Sequence, residues 1–372
     1  MPCRVKLDLL YEIQIPAPHD AGSEHRAYHE ALEQIQAADR AGFGCVWAVE
    51  HHFLTEFAHS SAPEVFLTAA AMRTERIRIG HGVALLPYRF NHPIRVAERA
   101  AALDIVSNGR LELGTGRSSG YEQEGFGVPA EESREQWQEA LEIIPRMWER
   151  RRFAYEGKHF RIPERDVIPK PIQQPHPPLW MAATSPDSWK LAARNGIGIL
   201  GLSIYVPVRA VAEQIRTYRA ELAHAKPVGK VVNDQVGVFT IVHCAETREQ
   251  AKENRAHDAA IEYLNYAFKV FASGLTPERA QGGDSPHLSL ALVEQFPLLP
   301  KMIRGEVTYE ELDAEDMVIV GDVDHCIAKL ERYREAGADR VLCLMQASRI
   351  PHAAVLRSIE LFGKHVIPRF DA

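Results

Sequence analysis

The stretch Val46-Trp47-Ala48-Val49 reads as a buried strand and stops abruptly at Glu50-His51-His52, followed by Phe53-Leu54-Thr55-Glu56-Phe57. A histidine beside a carboxylate at a strand end is a candidate acid or base, because its ordinary pKa lies near neutrality. The same residues would also serve as a structural pair packed under a loop. A second chemical stretch is Leu111-Glu-Leu-Gly-Thr-Gly-Arg-Ser-Ser-Gly120, a strand entering a loop with three glycines, Arg117 and two serines. Such a loop lets backbone N–H groups and a guanidinium fork approach an anion, most naturally a phosphate. The dinucleotide spacing Gly-x-Gly-x-x-Gly is not met, since Gly120 arrives one residue late. A third stretch, Ala182-Ala183-Thr184-Ser185-Pro186-Asp187-Ser188-Trp189, opens a helix with hydroxyl and acidic residues where free N–H donors gather. Ser185 as an N-cap with Pro186 at the first helical position explains it equally well without a ligand.

These residues need elements to hold them. Strand-like segments are expected at Val5 to Leu10, Cys45 to Val49, Ile77 to Ala84, Leu111 to Thr115, Leu179 to Ala182, Ile197 to Ser203, Gln235 to His243 and Arg340 to Met345. Amphipathic helices separate them: Ile94, Ala97, Ala101 and Ile105 recur at helical spacing, as do Trp137, Leu141, Ile144 and Trp148, and Val355, Ile359, Phe362 and Val366. Eight alternating βα units predict one α/β domain over residues 1–372, a (β/α)8 TIM barrel whose active site lies past the strands' C-terminal ends. Two stretches interrupt the rhythm, residues 151–178 after the fourth strand and 271–320 after the seventh. Both are expected to be insertions, the second a lid.

Composition narrows the function classes. With 46% hydrophobic and 25% charged residues the chain is an ordinary globular protein, not a disordered one. A net charge of -7, with scattered Lys and Arg, argues against nucleic acid as a partner. No apolar run has the length of a membrane span and the first residues lack a signal-peptide order, so no membrane and a cytoplasmic location are expected. The five cysteines are far apart and odd in number, which fits buried free thiols. No metal is expected: Glu50, His51 and His52 alternate in direction along an extended segment, and no second His-x-His or His-Glu-x-x-His accompanies them.

Glu50-His51-His52-Phe53 with Thr55-Glu56-Phe57, then Gly80 to Pro87, His92-Pro93 with Ala97-Glu98, and Leu103-Asp104 with Ser107 and Gly109-Arg110, together resemble the bacterial luciferase-like flavin monooxygenases. The likeness continues through Gly114-Thr115-Gly116-Arg117-Ser118, Arg134, Lys170-Pro171, Ala183-Thr184-Ser185-Pro186, Ala192 to Gly196 and Gly337, so it covers most of the chain. The resemblance implies a two-component enzyme that takes reduced FMN from a separate flavin reductase. It implies reaction with O2 to a flavin C4a-(hydro)peroxide, which oxygenates an organic substrate. His51 would be the catalytic residue with Glu50 behind it. Gly82, Val83, Gly116, Arg117, Arg134, Ala183, Thr184, Ser185 and Ser188 would contact the cofactor, with Arg117, Arg134, Ser185 and Ser188 on its phosphate. The family's non-proline cis peptide would fall at Gly82-Val83. Luciferase has a reactive cysteine where this chain has Gly116 and a glutamate where it has Thr184, so light emission is not implied. The loop after Tyr11, residues 53–59, the Tyr88-Arg89-Phe90 turn and the second insertion would wall a pocket for a substrate with an apolar part. Other readings remain open: hydride transfer with F420, or a flavin-binding protein without catalysis. A homodimer, or a heterodimer with a relative, is expected through Ala69-Ala70-Ala71 and Ala100-Ala101-Ala102.

Overall fold

The computed structural model describes residues 4–183, 185–271 and 298–371. Its strands in chain order are β1 (Lys6–Tyr11), β2 (Cys45–Ala48), β3 (Arg78–Leu85), β4 (Leu111–Gly116), β5 (Phe153–Glu156), β6 (Arg161–Arg165), β7 (Leu179–Ala182), β8 (Gly198–Leu202), β9 (Val236–Ala245), β10 (Ile319–Asp322) and β11 (Arg340–Leu344). Strands β1, β2, β3, β4, β7, β8, β9 and β11 pair in that circular order, all parallel, and β8 on β9 completes the ring. This is the expected (β/α)8 barrel, with strand limits moved by a residue or two.

The insertions hold more structure than their sequence suggested. The first contains the antiparallel hairpin β5-β6. The described part of the second, residues 298–320, has helices Leu299–Arg304 and Tyr309–Ala314 and then enters β10, which adds parallel to β9 outside the ring. Met317 to Val320 is fully buried, and Asp322 caps the following helix by accepting from the His325 N–H. The lid expected from this insertion falls mainly on residues outside those described.

Inward alternation along the strands explains how the barrel fills. Trp47 and Trp180 lie inside it with ring centres 5.4 Å apart, edge to face, neither exposed to solvent. The indole N–H of Trp47 donates to Asp8 Oδ2 at 2.9 Å and that of Trp180 to Glu112 Oε2 at 2.7 Å. Arg340 lies between the two carboxylates, 3.1 Å from Asp8 Oδ2 and 3.7 Å from Glu112 Oε1, with its guanidinium over the Trp180 ring. The indoles occupy space that the neighbouring strands must leave empty. A Cβ on Gly80 would lie 2.3 Å from Trp47 Cε3, and one on Gly198 would lie 2.5 Å from Trp180 Cε3.

Outside the ring, helix Ser23–Ala41 buries Ala27, Ala31, Leu32, Ile35 and Ala38 and ends at Gly42, whose φ of 97° is left-handed. Trp137, Leu141, Ile144 and Trp148 are buried along helix Ser133–Glu149, as their spacing predicts. The final predicted helix is right in its buried face but changes winding: His352–Leu361 is α-helical and Phe362–Val366 is a π-turn. Gly363 sits there because a Cβ would meet Ala41 Cβ at 2.7 Å. Cys45, Cys244, Cys326 and Cys343 are buried free thiols. No described helix is long and apolar enough to cross a membrane.

The central ion pair generates a stability prediction. Arg340→Met would leave Asp8 buried with the Trp47 N–H as its hydrogen-bond donor, and breaking a buried pair costs on the order of 3 to 5 kcal/mol. A urea midpoint unchanged from the parent would contradict this role.

Candidate active site

The C-terminal ends of the parallel strands converge on one mouth, and every candidate residue that is described stands on that side. Glu12 follows β1, Glu50-His51-His52 follows β2, Gly82 and Val83 lie in the second half of β3, and Arg117 follows β4. Ala183 and Ser185 follow β7, and Ser188 lies in helix Pro186–Arg194. Thr184 lies outside the described residues.

His51 is held by a residue that the sequence reading did not single out. Its Nδ1 lies 3.0 Å from Oε1 of Glu122, a carboxylate with no solvent exposure on the short helix Gly120–Gly125. Glu122 also accepts from the His52 N–H at 2.8 Å, the Ser118 hydroxyl at 2.7 Å and the Ser119 hydroxyl at 2.8 Å. Burial would raise the Glu122 pKa, but His51 and these donors hold it at about 2. Burial likewise works against an imidazolium at His51, and Glu122, with Glu12 and Glu50 further off, outweighs it and raises the His51 pKa. The mouth therefore favours a proton on His51.

Glu50 does not have the position expected of it. It turns away from the His51 ring and accepts from the Leu85 N–H at 2.9 Å and Asn91 Nδ2 at 2.9 Å, with His52 Nε2 at 3.3 Å. Burial opposes its ionisation, yet the contact with His52 and the surrounding donors hold its pKa below the ordinary value. Alternation along an extended segment sends neighbouring side chains in opposite directions, which is why Glu50 braces the β3 end while Glu122 reaches His51. The signal for Glu122 was present in the sequence as Ser119-Gly-Tyr-Glu122, a capping box that the structure realises.

The anion candidates follow two neighbouring strands. β4 and β7 are neighbours, with Thr115 opposite Met181, so Arg117 and the start of helix Pro186–Arg194 follow adjacent strands. Arg117 Nη1 donates to Ser133 Oγ at 3.1 Å, and Ser185 Oγ lies 2.9 Å from Ser188 Oγ. Burial lowers the Arg117 pKa and nearby Arg134 lowers it further. Among the described residues no carboxylate figures in the surroundings that shift Arg117, whose side chain donates to the Ser133 hydroxyl. Arg117 and Arg134 are near enough to repel each other, and the two serine hydroxyls stand at a helix start past the neighbouring strand, groups of the kinds that can hold an anion.

Strand β3 corrects the sequence reading. The cis bonds among the described residues are Ala17-Pro18, Ile168-Pro169 and Gln174-Pro175, so Gly82-Val83 is not cis. The irregularity there is instead a register shift against β4 between His81 and Ala84. A Cβ on Gly82 would meet Trp47 Cε3 at 2.5 Å, and one on Gly116 would meet Val83 Cγ2 at 2.9 Å, so both glycines follow from close packing. Strained backbone also marks the mouth: Ile13, Phe53, Ser118 and Ser348 have φ of 54°, 66°, 69° and 45°. Such residues cost on the order of 1 to 3 kcal/mol each and persist where surrounding contacts dictate them.

The expected pocket wall is partly as predicted. Phe57 is buried, its ring 5.8 Å from His51 and 5.1 Å from Tyr263 on helix Ala256–Phe271. Phe53 is half exposed and joins His52, Phe90 and Phe126 in an aromatic rim. Glu12, Tyr205 and Tyr263 were missed. Glu12 continues the inward alternation of Asp8 and Leu10, which is the signal that could have found it.

Comparison with known proteins places this geometry. Residues 8–340 match the family model for luciferase-like monooxygenase. The oxygenase component of a flavin-dependent trigonelline monooxygenase from Acinetobacter baylyi is 26% identical, over 86% of this chain and 84% of that one. Limonene 1,2-monooxygenase from Rhodococcus erythropolis is 28% identical over 95% and 84%. An F420-dependent glucose-6-phosphate dehydrogenase from Microbacterium testaceum is also related, at 22% over 94% and 96%. Among solved structures, a monooxygenase from Streptomyces bottropensis superposes with a TM-score of 0.78 at 26% identity, covering 98% of this chain and 100% of the other. The oxygenating constituent of 3,6-diketocamphane monooxygenase from Pseudomonas putida, in complex with FMN, gives 0.76 at 19% identity over 98% of each chain, a likeness of fold. With the family match spanning nearly the whole barrel, this chain belongs to the luciferase-like monooxygenases.

Proposed function

We propose that this chain is the oxygenase of a two-component system, taking reduced FMN from a separate flavin reductase and using O2 to oxygenate an organic substrate with an apolar part. The observation that carries the reading is that one mouth gathers Arg117, Arg134, Ser185 and Ser188, which we read as a phosphate cradle, and a proton-bearing His51 held by Glu122. A terminal phosphate monoester carries up to two negative charges, which suits two guanidiniums. The relative named as the oxygenase component of a flavin-dependent monooxygenase supports a flavin and a separate reductase.

When bound, reduced FMN supplies the electrons that activate O2. The protein's part is to hold and to protonate. Arg117, Arg134 and the two serine hydroxyls would anchor the phosphate, with Ala183 and Thr184 beside them. Gly82, Val83 and Gly116 would form the wall beside the ring. Glu122 fixes the His51 imidazole through Nδ1 and favours its protonated state, which suits His51 as proton donor. Glu50 acts through the β3 end and His52. Phe57 and Tyr263 keep water from the inner side.

We also infer a homodimer. Of the alanines expected at its contact, Ala70, Ala71, Ala100 and Ala101 are already buried within the chain. Val65, Met72, Ile105 and Val106 on the same two helices are exposed and would form the contact instead. Light scattering at micromolar concentration should give twice the chain mass, and a monomer's mass would contradict the contact.

Two measurements test the site. Arg117→Ala and Arg134→Ala should each weaken reduced-FMN binding by roughly ten to a hundredfold, about 1.5 to 3 kcal/mol for a charge-assisted contact. Unchanged affinity in both would remove the phosphate assignment. His51→Ala should fold and bind reduced FMN as the parent does, but divert oxygen from product to hydrogen peroxide. Loss of an acid or base costs on the order of a hundred to ten-thousandfold in rate. A variant that couples oxygen to product like the parent would take His51 out of the chemistry.

A further inference from the structure

Glu12 is 4% exposed, and its Oε1 accepts from the Tyr263 hydroxyl at 2.9 Å. Its Oε2 is buried and has no hydrogen-bond partner among the described residues. The Tyr205 hydroxyl, just past β8, is in the same condition. The two groups are near enough that the Glu12 carboxyl adds to burial in raising the Tyr205 pKa. Buried polar atoms are rarely left without partners, so two such atoms together in the mouth point to a polar atom of a guest.

Their protonation states define that atom. Burial pushes the Glu12 carboxyl up to about 7, against the pull of His51 and the Tyr263 hydroxyl. Near neutrality much of it is the neutral acid, with an O–H to donate from Oε2. Tyr205, raised well above its ordinary pKa, stays a donor throughout. Two neighbouring neutral donors without partners ask for an acceptor oxygen. Their surroundings are apolar: Phe57 lies 5.1 Å and Phe239 5.8 Å from the Tyr263 ring. Strand β1 stands opposite β7 in the eight-stranded ring, so Glu12 and the phosphate cradle lie on opposite sides of the mouth.

We propose that Glu12 and Tyr205 form the receptor for a carbonyl oxygen of the organic substrate, which makes apolar ketones and related carbonyl compounds the substrate class. This rests on the mouth being the oxygenation site described above. The groups that face Glu12 are His51 past β2, Tyr205 past β8 and Tyr263 on helix Ala256–Phe271. Binding through an acid O–H is present below the Glu12 pKa and is lost as pH rises through neutrality.

The test is anaerobic calorimetric titration of the full chain with cyclohexanone, cyclohexene and cyclohexylamine, with and without reduced FMN. Cyclohexanone should bind most tightly and weaken as pH rises past neutrality. Tyr205→Phe and Glu12→Ala should each weaken it about tenfold, the worth of one hydrogen bond, while cyclohexene and reduced FMN bind as before. Glu12→Gln should keep cyclohexanone binding and lose its pH dependence, because the amide can donate to the carbonyl and still accept from Tyr263. The proposal is overturned if cyclohexanone shows no preference or no binding, if cyclohexylamine binds better as pH rises, or if the variants weaken reduced FMN. Failure of the parent to bind reduced FMN while cyclohexanone keeps its preference counts against the functional reading alone.

Discussion

Two indoles share the inside of the barrel, and that volume constraint organises much of what lies above them. Trp47 and Trp180 fill the ring at the level where Asp8, Glu112 and Arg340 meet. The strands paired beside them carry glycine because no Cβ fits. A closed, charged floor is costly unless each group finds a partner, and here the indole N–H groups and the guanidinium supply them. With the floor shut, the space open to chemistry lies at the C-terminal ends of the strands. The same close packing sets Gly82 and Gly116 into the wall of the mouth, so fold and site draw on one set of contacts.

Above the floor, charges of both signs stand at the strand ends. Glu122 is a buried carboxylate held ionised by His51, the His52 N–H and two serine hydroxyls, and it in turn favours the imidazolium. Arg117 and Arg134 form a cationic pole on the β4 and β7 side. Glu12 is the exception among the acidic groups: it has one donor where Glu122 has several, and burial wins. Two carboxyls in one mouth thus take opposite states because of the number of donors around each, which is how one site can hold both a fixed charge and a titratable proton.

The barrel was legible because its βα alternation is strong and its strands are long apolar runs. The places of Arg117 past a strand and of Ser185 and Ser188 at a helix start were legible from the glycines, proline and hydroxyls around them, while their assignment to a flavin phosphate came from family likeness. The His51 partner was not, since Glu122 arrives from 71 positions along the chain on a helix of six residues. Its capping box signalled a helix start and nothing about the histidine. β10 was hidden inside a stretch whose proline and glycine content reads as loop, although Met317 to Val320 carried the apolar run. The expected cis bond at Gly82-Val83 came from family likeness, and here a shift in β3-β4 register stands in its place. Glu12 and Tyr205 carry no motif. Only the convergence of different strands in three dimensions gives them meaning.

The central claim is that the cradle at Arg117, Arg134, Ser185 and Ser188 receives the phosphate of reduced FMN. The most direct measurement is an anaerobic competition titration of the parent protein with reduced FMN and reduced F420, followed by inorganic phosphate as a displacer. The account predicts that reduced FMN binds in preference to reduced F420 and that phosphate displaces it. Preferential binding of reduced F420, or reduced FMN that binds but is indifferent to phosphate, would contradict it.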